Sequence, residues 1–173
     1  MRQAIDQIRA AHGPLPAIGV DRRWRVRQVN GGAAQLFTRL LGRLPSPGMN
    51  AMEALFDPAA LRSTVVNLDE VGHAVIARLV EDARRDQVVA ELLERLESRG
   101  WLESAWRRPG LAPTILVPLH FRGAGIEARL FTTLTTLGTP RDVSAQELRI
   151  ESYHPMDEST ATALRSLQDS AVV

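Results

Sequence analysis

Ile115-Leu116-Val117-Pro118-Leu119-His120-Phe121 opens the stretch that decides the fold. It is followed by Gly123-Ala124-Gly125, an Ile126 to Leu137 run rich in threonine and aliphatic residues, Gly138-Thr139-Pro140-Arg141-Asp142, and a Glu147 to Tyr153 run. β-branched content, together with turn residues at both breaks, predicts a three-stranded antiparallel meander over residues 114–154. Pro118 has no N–H for a ladder, so its strand belongs at a sheet edge or carries a bulge there. Gly123-Ala124-Gly125-Ile126-Glu127-Ala128 also fits the G-x-G-x-x-[GA] dinucleotide pattern. That pattern needs a helix N-terminus behind the glycines to hold a pyrophosphate, and Leu130 to Thr136 reads as strand, so a hairpin turn is the better reading.

Upstream of the meander the pattern is helical over residues 33–106. Leu36, Phe37, Leu40 and Leu41 recur at helical spacing before Gly42, and a short helix is predicted over Ala51 to Phe56. Asp57-Pro58 reads as an N-cap with proline in the first turn of the longest helix, whose stripe would be Val65, Leu68, Val71, Val75 and Leu79. Val88, Val89, Leu92, Leu93 and Leu96 continue the pattern to Arg99-Gly100, and Trp101 to Trp106 suggests another short helix.

Further upstream, residues 16–29 alternate as a two-stranded hairpin that turns at Asp21-Arg22 and stops at Asn30-Gly31-Gly32. A docking helix is predicted over 2–12, and Asp157 can cap a last helix over 158–169. Two strands, a helical insertion and three more strands make an α+β layer with one sheet face covered, in a single domain over 1–173. The space between sheet and helices is a usual setting for a small-molecule pocket.

Composition narrows the function classes. With 21 basic against 20 acidic side chains the net charge is +1, too small to steer the chain toward nucleic acid or an anionic membrane. Absence of cysteine removes disulfides, thiolate ligands and a thiol nucleophile together. No apolar run reaches the roughly 20 residues needed to span a bilayer, and Met1 to Asp6 lacks a signal-peptide core, so no membrane contact and a cytoplasmic location are expected.

Arg22, Arg23, Arg25 and Arg27 surround Trp24, but strand alternation puts Arg23, Arg25 and Arg27 on a solvated face and Trp24 and Val26 on a covered one. His12, His73, His120 and His154 lack the spacing of a metal site, and His73 beside an apolar stripe reads first as a structural histidine. No G-x-S-x-G, H-E-x-x-H or P-loop pattern is present. Catalytic residues, metals and cofactors are therefore expected to be none, and the chain is not expected to be an enzyme. Phe37, Leu41, Phe56, Val75, Leu79, Trp101, Phe131 and Thr133 are the candidates to line a pocket, because they project from elements that should face one another.

Leu15-Pro16-Ala17, Asp21-Arg22-Arg23-Trp24, Val29-Asn30 and Asn67-x-x-Glu70-Val71 occur in an order that resembles the start of the MmyB-like ligand-binding domain. Phe131 through Val143 and Glu147 through Asp157 resemble that family's final hairpin and helix cap. The likeness spans nearly the whole chain. It implies a PAS-like sensor with a five-stranded antiparallel sheet, the C-terminal half of a helix-turn-helix transcription regulator of the xenobiotic-response-element type. It further implies a hydrophobic, fatty-acid-like effector and a homodimer. DNA contact would come only through a helix-turn-helix domain absent from this chain. The sequence departs from the family at Leu68, where an aromatic commonly follows the asparagine, and at His154, where an aromatic commonly precedes the proline. Two other readings stand beside the sensor: a ligand-free dimerisation or protein-interaction module, and an enzyme using the same cavity through a buried carboxylate or His73.

Overall fold

A computed structural model describes residues 15–107, 118–136 and 148–169. The helix expected over 2–12, the meander's first residues at 114–117 and the loop at 137–147 lie outside them. Strand β1 (Ala17–Asp21) turns into β2 (Val26–Val29), and they pair antiparallel with Ile18 opposite Val29. Asp21 organises the turn: its Oδ1 accepts from the amides of Arg23 (2.8 Å) and Arg25 (2.9 Å), and its Oδ2 accepts from the Arg27 guanidinium at 2.7 Å. The turn holds Trp24 at φ 61 with its ring buried, while Arg23, Arg25 and Arg27 stay exposed.

Asn30 joins the hairpin to the first helix, α1 (Gly31–Leu41). Its Oδ1 accepts from the amides of Ala33 and Ala17, both at 2.9 Å, and its Nδ2 donates to the Leu15 carbonyl at 2.8 Å. One buried side chain thus fixes the start of a strand and the start of a helix. Gly42, at φ 69, ends α1 in the left-handed conformation that glycine adopts without strain. The chain then runs beside β2, where the Val26 amide bonds Met49 O at 2.7 Å. Asn50 next caps α2 (Ala51–Phe56) by accepting from the amides of Met52 and Glu53.

The longest helix, α3 (Leu68–Ala83), starts about three turns later than Asp57-Pro58 suggests. Asp57 instead caps a tight turn through the Ala59 amide, and Arg62–Thr64 form one 3-10 turn. Val65 then bridges to Phe121 and the Val66 amide bonds His120 O at 2.7 Å. Leu61, at the start of the 3-10 turn, and Val65, in the extended stretch after it, are both buried in the core, so the apolar spacing is satisfied without an α-helix. α3 begins only after Asn67, the helix-start position of the resembled family. Helix α4 (Gln87–Ser98), capped by Asp86, packs on α3, and Ser104–Arg107 forms a 3-10 turn.

The meander is β3 (Leu119–Gly123), β4 (Ile126–Thr136) and β5 (Leu148–Pro155), closed by α5 (Glu158–Asp169). Ala124 (φ 49) and Gly125 (φ 77) form the two-residue turn between Gly123 and Ile126, so the glycine-rich stretch is a hairpin. Pro118 immediately precedes β3, an edge strand. Sheet order is β2-β1-β5-β4-β3, all neighbours antiparallel, which with the covering helices makes an α+β, PAS-like fold. A continuous core of buried residues draws on β1 through β4, β5 and all five helices. Its largest fully buried side chains include Trp106, Phe56, Phe121 and Leu36. Burying each contributes about 1.5–3 kcal/mol.

Candidate ligand pocket

Register sets which side chains face the helices. Ile18 lies opposite Glu151, and Thr132 opposite Tyr153, so these four share one sheet face. Phe37, from α1, packs edge-on against Tyr153 (centroids 5.3 Å apart, planes at 74°) and against Phe121 (6.4 Å, 88°). Such perpendicular contacts fix ring orientation while leaving space beside the edge.

A pocket opens at that place. The sheet supplies Ile18, Val26, Leu119, Phe121, Glu151 and Tyr153. Phe37 and Leu41 come from α1, Pro45 and Met49 from the following loop, Ala51, Met52, Ala54 and Leu55 from α2, and Leu61 from the stretch beyond. About 540 Å³ of its space is free of atoms when the open mouth is included, and the centre of a water-sized sphere ranges over about 50 Å³ of it. That is several times the minimum for one water, and suits a slim guest better than a bulky one.

Glu151 and Tyr153 are the polar exceptions in the lining. The Tyr153 hydroxyl donates to Glu151 Oε2 at 2.9 Å, and the Thr132 hydroxyl bonds the same carboxylate. Burial raises the Glu151 pKa above the ordinary carboxylate value, against the opposing pull of these two hydroxyls and of Arg78. Tyr153 is pushed well above the ordinary phenol value, first by burial and then by the negative charge of Glu151.

Of the residues nominated from sequence, the structure brings Phe37 and Leu41 together in this pocket. Phe56 is fully buried against Trp106 instead, ring centroids 5.6 Å apart. On α3, Leu79 is buried in the core and Val75 is packed against it. Trp101 is half-buried, with the Arg99 guanidinium 4.6 Å from its ring centre. Phe131 and Thr133 alternate with Thr132 and so belong to the other sheet face. There Phe131 stacks on His154 at 4.9 Å, and Thr133 Oγ1 lies 3.1 Å from His154 Nε2. Sequence reading did not nominate Glu151, Tyr153, Phe121, Ile18 or the α2 residues. In Ile150-Glu151-Ser152-Tyr153 one sheet face receives Ile150 and Ser152 and the other Glu151 and Tyr153, so each carries a polar group and alternation gives no sign of which face is the pocket's.

Among the described residues no group of three His, Asp or Glu side chains is placed to hold a metal, and no helix is long and apolar enough to cross a membrane. His120 sits on the exposed hairpin with its Nε2 2.8 Å from Glu127 Oε1. Arg122 holds the same carboxylate at 2.9 Å, and with His120 keeps the Glu127 pKa at about 2.

A curled antiparallel sheet roofed by helices over a mainly apolar pocket defines a PAS-like ligand-binding module. Residues 1–167 match the MmyB-like transcription regulator ligand binding domain, and the chain belongs to that family. It is therefore a regulatory, ligand-sensing domain. No curated protein matches the chain.

Proposed function

We propose that the effector is a hydrophobic small molecule with a slender, fatty-acid-like aliphatic body, held between the sheet and helices α1 and α2. The observation that carries this is the lining, apolar at every residue except Glu151 and Tyr153. Binding shifts the domain between conformations by the effector's differential affinity for them, with no covalent step. The domain works in the cytoplasm as part of a homodimeric regulator, and DNA is contacted through a separate helix-turn-helix domain.

Two rival readings have less support. A ligand-free interaction module fits poorly with space that the described side chains leave unfilled. An enzyme would need a further acid–base group, and among the described residues the lining supplies none beyond Glu151 and its Tyr153 partner. Native mass spectrometry of the purified chain, with solvent extraction of co-purifying lipids, tests the proposal. A co-purified aliphatic compound, or a melting temperature raised by members of a fatty-acid, alcohol and amine panel, is expected. An empty protein whose melting ignores the whole panel overturns it.

A further inference from the structure

The polar exceptions in the pocket wall lie side by side on one face of β5 and are bonded to each other. The only proton of the Tyr153 hydroxyl is committed to Glu151 Oε2 at 2.9 Å, and the Thr132 hydroxyl is bonded to the same carboxylate. Toward a guest the pair therefore offers lone pairs: those of the carboxylate and that of the phenol oxygen. We infer that Glu151 and Tyr153 form the head-group site of this pocket, and that they select an effector whose apolar body ends in a hydrogen-bond donor, a primary amine or a hydroxyl, over one ending in a carboxylate.

A carboxylate guest would set acceptors against acceptors and like charges together, among Phe37, Ile18 and other apolar groups that screen them poorly. An ammonium or hydroxyl instead makes a charge-assisted hydrogen bond with the acceptors already in place. A guest whose alkyl end abutted Glu151 would remove water from that carboxyl and return no bond, which is the costlier outcome for a buried polar group. Burial disfavours the ionised Glu151 more than Tyr153, Thr132 and Arg78 favour it, and a donor guest adds to their side.

This inference rests on the reading of the pocket as a site for an aliphatic effector, and one experiment separates the two. Dodecylamine, 1-dodecanol and dodecanoate, each below its micelle concentration, are titrated into the whole chain and followed by displacement of a fluorescent apolar probe. The same titrations are made with Glu151→Gln. The amine should bind the unaltered chain about tenfold more tightly than the acid, with the alcohol between them. In Glu151→Gln, which keeps the shape, removes the charge and gains a donor, that preference should fall about tenfold. Equal or tighter binding of the acid by the unaltered chain overturns the head-group inference alone and leaves the aliphatic reading standing. An amine-to-acid ratio unmoved by Glu151→Gln does the same. Failure of all three compounds to displace the probe overturns both.

Discussion

Gly72 on α3 lies directly against the indole of Trp106: a Cβ built on it would come within 2.4 Å of two ring carbons. The missing side chain is what lets the 3-10 turn at Ser104–Arg107 seat Trp106 on the helix. There the ring is buried and its Nε1 donates to Asp69 Oδ1 at 3.1 Å. In a helix interior, Gly→Ala ordinarily stabilises by about 0.5–1 kcal/mol through chain entropy. Forcing a methyl group into a packed ring costs about 1–3 kcal/mol, so the steric effect prevails. Gly72→Ala should lower the urea midpoint, and an unchanged or higher midpoint would show that Trp106 moves aside freely.

Asn67 clasps α3 to the sheet edge. Its Nδ2 donates to Pro118 O (2.7 Å) and to Glu70 (2.9 Å), and its Oδ1 accepts from the His120 amide (3.0 Å). Asn67→Ala strands two backbone groups at once, and a loss of about 1–3 kcal/mol in chemical denaturation is expected. Asn67→Asp keeps the acceptor for the His120 amide but sets a carboxylate oxygen against Pro118 O and Glu70, so it should lose at least as much as alanine. Hydrogen exchange at His120 should accelerate in the alanine variant and not in the aspartate one.

Elements legible in the sequence were those whose signal is local. The hairpin at Gly123-Ala124-Gly125, the stop at Asn30-Gly31-Gly32 and the helix of Leu36, Phe37 and Leu40 all follow from turn chemistry or periodicity within a few residues. What periodicity missed was set by distant partners. Val65 reads as part of the long helix that Asp57-Pro58 would start, yet β3, more than fifty residues on, draws it and Val66 into extended pairing. The pocket shows the same division. Phe37 and Leu41 follow from helix spacing, whereas Glu151 and Tyr153 depend on which face of β5 the helices cover, and a strand covered on both faces hides that choice.

Opposite placement of two nominated residues gives a binding contrast. Leu41 lines the pocket, half-buried, while Phe131 stands across the sheet. Leu41→Trp fills the space and should weaken an apolar guest about tenfold. Phe131→Ala should leave the affinity within about twofold, because it removes a ring that touches His154 and not the guest. Isothermal titration of both variants with one aliphatic compound checks this, and a larger loss in Phe131→Ala would place the binding site on the other face.

The Glu151 carboxyl, facing Tyr153, Thr132 and the charge of Arg78, holds its proton more firmly folded than unfolded because burial dominates. Its contribution is complete below the unfolded carboxylate pKa of about 4.3 and is lost as pH rises through the higher folded value. Glu151→Gln lacks that slope, so its urea midpoint should gain on the unaltered chain from about pH 4 toward neutrality. A difference between the two that stays flat with pH would contradict the burial.

Glu127 runs the other way. The Arg122 hydrogen bond, helped by His120, holds its pKa at about 2. Its contribution is therefore present above the unfolded carboxylate value and fades as the solution is acidified toward about pH 2. Glu127→Gln should flatten the acid limb of the stability curve without touching the neutral one. Melting temperatures collected along an acid titration check it, and an acid limb of unchanged steepness would show that the surface trio adds nothing.

β1 finds its central neighbour in β5, with Ala17 opposite Ser152 and the Tyr153 amide bonded to Pro16 O at 2.8 Å. Almost all of the intervening chain must therefore leave the ribosome before the middle of the sheet can zip shut. Until then the hairpin and the emerging helices have only each other to lean on, with their greasy sides uncovered. Synthesis thus imposes a waiting period on this domain, in which chaperones or its own effector have the most to offer.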